Sequence, residues 1–117
     1  MEIIKTIESL KVQIDTYHAT EKSDGNTLVE LAQNISVYLF YLSEQKTQYH
    51  DKYQKRLHQL ITQEKMNVNR AQNQCEVEIP ELYRLRYFIR SGYEILNIIR
   101  TQVSYLKHEA THTKITN

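Results

Sequence analysis

Eight residues near the C-terminal end, Leu82, Leu85, Ile89, Gly92, Leu96, Ile99, Val103 and Leu106, follow one another at steps of 3, 4, 3, 4, 3, 4 and 3. Only an α-helix brings such positions onto one line, and a strict 3-4 alternation is the seam by which one helix packs along another. A helix from Pro80 to about residue 109 follows. Pro80 suits a first helical position, where its missing N–H costs nothing, and Glu81 complements the helix dipole. Gly92 interrupts the seam with a residue that costs about 1 kcal/mol in helix propensity, which is reasonable where a neighbouring backbone must come close. A second apolar row, Phe88, Ile95 and Ile98, runs beside the first. This helix therefore carries more apolar surface than one antiparallel partner covers. The expected use of the surplus is an interface between copies of the chain, formed by the eight seam residues; the alternative is a three-helix monomer with a broad core.

The rest of the chain leaves little besides helices to build with. It has 117 residues, two glycines (Gly25 and Gly92) and one proline, so turn-rich β architectures and glycine-rich phosphate loops lack their raw material. Ile3, Ile4, Ile7, Leu10 and Ile14 mark an amphipathic helix over about residues 2–19. Ser23, Asp24, Gly25 and Asn26 supply turn chemistry, and Thr27 with Glu30 matches a Ser/Thr-x-x-Glu capping box, which predicts a second helix from Thr27. Its apolar stripe runs Leu28, Leu31, Ile35, Tyr38, Leu42, Tyr49, Tyr53, Leu57 and Leu60 without a breaker. Continuous from 27 to about 64, it would be roughly 57 Å long. A compact domain of this size has a radius of gyration near 13 Å, so the rod must project and find partners. Residues 65–79 are polar and weakly periodic, fitting a short helix or an irregular connection, and residues 110–117 are expected to be a frayed tail. The fold class is thus all-α: a long-helix hairpin or bundle in one domain, residues 1–109, with an N-terminal amphipathic helix and oligomerisation through the C-terminal helix.

Composition narrows the function classes. No run approaches the ~18 apolar residues of a membrane span, and Cys75, alone, has no partner for an internal disulfide, so a soluble cytoplasmic protein with a passive thiol is expected. His108, Glu109 and His112 spell H-E-x-x-H, but in a stretch of poor helix propensity where no third ligand follows in a defined element. It reads as a chance match to the zinc-protease signature. No other set suggests a triad, a carboxylate pair or a phosphate loop, and neither catalysis, a metal nor a cofactor is expected.

Charge is segregated although the net value is only +1. Residues 1–45 carry three lysines against seven acids, residues 46–70 six cations against two acids, and residues 84–107 five cations against Glu94 alone. Lys52, Lys55, Arg56 and Lys65 lie among Tyr49, Tyr53 and His58, with Arg70 beyond, while Arg86, Arg90, Tyr93 and Arg100 fall along one face of the last helix. Cations beside rings are the parts of a sequence-independent single-strand binder, and equally of solvated helix faces whose tyrosines serve packing. Lys52, Lys55, Arg56, Lys65 and Arg70 are the candidate nucleic-acid contacts.

A family resemblance adds to this. The run AQNQCEVEIPELYRLRYFIRSGYEILNIIRTQVSYLKHE, residues 71–109, resembles the C-terminal segment of the UvsY recombination mediators of myoviruses, through Val77, Leu82 and Tyr83, the Ser91-Gly92 pair, and Tyr105-Leu106-Lys107. LAQNISVYLFYLSEQ resembles that family's first long helix through Asn34 and Tyr41-Leu42. Where the family has a Lys-x-Arg pair near the end of the long helix, this chain has Glu64, Lys65 and Met66. The resemblance implies a non-catalytic phage recombination and repair accessory. It would be a homo-oligomer, as a ring, that binds single-stranded DNA and helps a RecA-like recombinase displace the single-strand-binding protein. The readings from other classes are a virion or assembly adaptor and a small inhibitor of a host protein.

Overall fold

A computed structural model describes the backbone of residues 2–116 and the side chains through Ala110. Four helices follow in order, α1 (Ile3–Ala19), α2 (Gly25–Thr62), α3 (Val68–Glu78) and α4 (Pro80–Thr116). The described chain is all-α. Extents of 73 × 25 × 18 Å and a radius of gyration of 20.0 Å make the molecule a rod. Its spine is the unbroken α2, as the missing breakers predict.

The start of α2 differs from the capping-box expectation. Asp24 is the N-cap: its carboxylate accepts from the Thr27 amide at 3.1 Å and from the Thr27 hydroxyl at 2.6 Å. The Thr27 hydroxyl is thus a donor to Asp24, and the helix begins at Gly25. These bonds hold the Asp24 carboxyl below the usual aspartate range. At the other end, α2 stops at Thr62, and Lys65 takes a left-handed φ of 55° in the turn that follows.

Residues 68–78, for which a short helix and an irregular connection were both open, form α3. Asn67 caps it by accepting from the Arg70 amide at 2.8 Å. It folds back along α2 and closes a small second core in which Leu60, Ala71 and Cys75 are buried beneath Tyr53, Leu57, Ile61 and Met66. The projecting half of the rod thereby finds its partner inside the chain.

The main core lies at the other half, where α1 and α4 both pack on α2. Ile7 and Leu10 meet Leu28, Leu31, Ile35, Leu39 and Leu42, together with Leu85, Ile89, Leu96 and Ile99. The seam expected between copies meets this core within the single chain. Leu82, Leu85, Ile89, Gly92, Leu96 and Ile99 are buried within the single chain, and Val103 and Leu106 pack partly buried against the same core. The surplus surface has the same fate: Phe88 and Ile95 also pack on that core, whereas Ile98 is left outside. A broad three-helix core accounts for the seam. Two polar ties fix the packing, Asn34 donating to Gln13 (3.2 Å) between α2 and α1, and Gln102 donating to the Lys22 carbonyl (3.0 Å) across the α1–α2 turn. Helix α4 continues to Thr116, past the expected end at 109.

Candidate nucleic-acid interface

Arg56 is engaged elsewhere. Its Nε and Nη2 donate to the two oxygens of Glu78 at 2.8 and 3.1 Å, and its Nη1 donates to Gln59 (2.8 Å) and Glu64 (3.3 Å). Such a bidentate pair clamps α3 to α2 and uses up the fork that a phosphate would need. Gln74 donates to the same carboxylate at 2.6 Å. Hydrogen bonds from Arg56 first, then Gln74, hold the Glu78 carboxyl below the usual glutamate range. Of the other candidates, Lys52 stands 4.6 Å over the Tyr49 ring, and Lys55, Lys65 and Arg70 are exposed. In this fold Arg56 ties α2 to α3. The H-E-x-x-H match has no described second imidazole, since the His112 side chain lies outside the described residues; His108 and Glu109 are exposed.

The last helix carries a better-formed surface. Positions 86, 90, 93, 97, 100, 104 and 107 recur at the spacing of one helix face, and they are Arg, Arg, Tyr, Asn, Arg, Ser and Lys, with no acid among them. All seven are exposed. Because Leu82, Leu85, Ile89, Leu96 and Ile99 are held in the core, this stripe is turned outward, and from Arg86 to Lys107 it covers roughly 31 Å. A row of like charges on a packed helix stays solvated in isolation, which makes it available to an extended polyanion.

Beside the stripe, on the side of the α2/α4 pair away from α1, runs a shallow groove. One stretch, of about 180 Å³, is lined by Ser36, Phe40, Ser43, Tyr93 and Arg100 over Leu39 and Leu96. The next, of about 530 Å³, shares Ser36 and Arg100 and continues along Val29, Ala32, Gln33, Val103, Ser104 and Lys107. Neither stretch has a carboxylate among its described lining residues. Phe40 is 68% exposed and Tyr93 44% exposed, so two rings stand open on opposite walls with Arg100 beside them.

Of the residues placed on one face from the sequence, the fold does set Arg86, Arg90, Tyr93 and Arg100 on a common outer stripe. Phe40 and Lys107 were missed. The signal for Lys107 was present: Arg86, Tyr93, Arg100 and Lys107 each follow a seam position by one residue. Phe40 was hidden because it follows Leu39, which the predicted α2 stripe skipped although it is fully packed.

No protein-family model, curated protein or solved structure shows significant similarity to the chain.

Proposed function

We propose that this protein is a non-catalytic accessory of phage homologous recombination and repair. In this reading it binds single-stranded DNA without sequence preference and helps a RecA-like recombinase load in place of the single-strand-binding protein. The observation that carries the proposal is the acid-free outer stripe of α4, Arg86, Arg90, Tyr93, Arg100 and Lys107, running beside a groove with the open rings of Phe40 and Tyr93. Cations along one helix face neutralise phosphates of a strand laid beside it, and rings at the groove wall stack on bases of any identity. The resemblance of residues 71–109 to the recombination mediators supports the same reading and adds the recombinase as partner.

Self-association belongs to the proposal as well, but the buried seam leaves it other surfaces. On α4 the exposed Tyr87, Ile98 and Tyr105 are among the described apolar side chains outside both the core and the stripe. Those same residues favour the second reading, a helical adaptor whose partners are proteins. Light scattering with and without a single-stranded oligonucleotide tests both, because it reports assembly size and DNA binding together. An oligonucleotide complex that dissolves as salt rises supports the mediator. A protein that ignores the oligonucleotide at low salt contradicts it and leaves the adaptor.

A further inference from the structure

Beyond Arg86, at the end of the stripe, three helices meet around a cavity of about 360 Å³. Tyr53 reaches it from α2 and Glu76 from α3, Ile79 and Pro80 form the break between α3 and α4, and Leu82, Tyr83 and Arg86 come from the first two turns of α4. A cleft of this size, mostly apolar with a few convergent polar groups, falls within the range of small-molecule sites.

We propose that this cavity holds one nucleotide unit, an unpaired base against Tyr83 and Tyr53 with its phosphate on Arg86. Tyr83 is 76% exposed, so a large ring stands at the lip with its face uncovered, the arrangement that stacking requires. The charges of Glu76 and Arg86 oppose each other within one lining, which disfavours a plain anion: phosphate alone would meet the carboxylate. A nucleotide satisfies both, since its phosphate pairs with the guanidinium while an exocyclic amine of adenine, cytosine or guanine donates to Glu76. Thymine offers only its ring N3–H, so Glu76 favours the amine-bearing bases at this one position, while the stripe beyond it reads no base identity. The Tyr53 hydroxyl already feels this setting, its pKa pushed up by burial first and by the nearby Cys75 and Glu76 next. Arg86 also opens the stripe, so a strand with one base in the cavity continues toward Arg90 and Arg100. The same chemistry could come from a free nucleotide or from a strand, and the strand form rests on the function proposed above.

The test uses the full chain, isotope-labelled, and two probes. Deoxyadenosine and thymidine monophosphates are titrated against its amide resonances. A labelled oligonucleotide and its fully abasic counterpart are titrated by fluorescence anisotropy. Wild type is compared with Tyr83→Ala, Glu76→Gln and the control Val12→Ala, at an exposed position of α1. Deoxyadenosine monophosphate should move the amides around residues 76–86 and thymidine monophosphate should move them less, a preference that Glu76→Gln removes. Tyr83→Ala should weaken the oligonucleotide by about 5- to 150-fold, the equivalent of one stacked base, and leave the abasic strand and the fold unchanged. Val12→Ala should alter neither. Oligonucleotide binding that Tyr83→Ala leaves intact overturns the pocket and spares the proposed function. Mononucleotide binding at 76–86 without oligonucleotide binding keeps the pocket, as a free-nucleotide site, and overturns the function. Amides that no mononucleotide moves, with no oligonucleotide bound, overturn both.

Discussion

Leu39 fills the space that a side chain at Gly92 would need: a Cβ built on Gly92 stands 2.6 Å from Leu39 Cδ2 and 3.3 Å from Leu10 Cδ2. Gly92 is therefore the point where α4 comes close to both α2 and α1. Leu39 and Leu10 are buried in the main core, so neither can swing clear at low cost. Overpacking a core costs about 1–3 kcal/mol, from which Gly92→Ala recovers about 1 kcal/mol of helix propensity. Urea unfolding should show Gly92→Ala destabilised by about 1 kcal/mol and Gly92→Leu by about 3 kcal/mol or more. A neutral Gly92→Leu would mean that α4 is not seated this way.

The clamp between Arg56 and Glu78 makes a prediction of opposite kinds for stability and binding. Arg56→Ala should speed hydrogen exchange in α3, which relies on this pair and the small second core around Leu60, Ala71 and Cys75 for its hold on α2. Affinity for single strands should be unchanged, because the guanidinium is already committed to carboxylates. Loss of binding with intact α3 protection would return Arg56 to the DNA site.

Acid should open the same clamp. The Glu78 carboxyl titrates lower in the folded chain than in the unfolded one, so its contribution to stability is present above the usual glutamate range and lost as pH falls through the lowered folded value. Protection of the α3 amides relative to their intrinsic exchange rate should fall as the solution is brought below that range, while Glu78→Gln should start loose and respond less. Identical pH profiles for the two proteins would rule the clamp out as the cause.

Cys75 is fully buried, and burial, with Glu78 next, pushes its thiol above the usual cysteine value. Thiolate is the reactive form, so alkylation at neutral pH should be slow in the native chain and should rise with the fraction of α3 unfolded by denaturant. Rapid native labelling would show that the second core is open.

The fold was legible where periodicity reports it directly. The unbroken length of α2 follows from the missing glycines and prolines, and the burial of the α4 seam follows from its 3-4 steps. Periodicity says that a face is covered, however, and not by which helix, and for that reason an intrachain core and a seam between copies look the same in sequence. Helix α3 was obscure because its buried face is made of Ala71 and Cys75, too small to stand out among asparagines and glutamines. The spacing of Thr27 and Glu30 pointed to Thr27 as the cap, whereas Asp24, read only as turn chemistry, caps α2 by accepting from the Thr27 amide and hydroxyl. The candidate site was half legible: Arg86, Arg90, Tyr93 and Arg100 share a face by spacing alone. The loss of Arg56 depends on Glu78, 22 residues away, a pairing that no local pattern records.

The most direct test of the proposed function is the salt dependence of single-strand affinity, by anisotropy, for wild type and the charge-reversed Arg90→Glu, Arg100→Glu double variant. With Arg86, Arg90, Arg100 and Lys107 each neutralising one phosphate, the logarithm of the binding constant should fall with the logarithm of salt at a slope of about −3. The double variant should bind too weakly to measure under the same conditions, while Lys55→Glu should bind nearly as wild type does. Absence of binding at low salt, or binding that survives reversal of Arg90 and Arg100, would contradict a DNA-binding role for the outer face of α4.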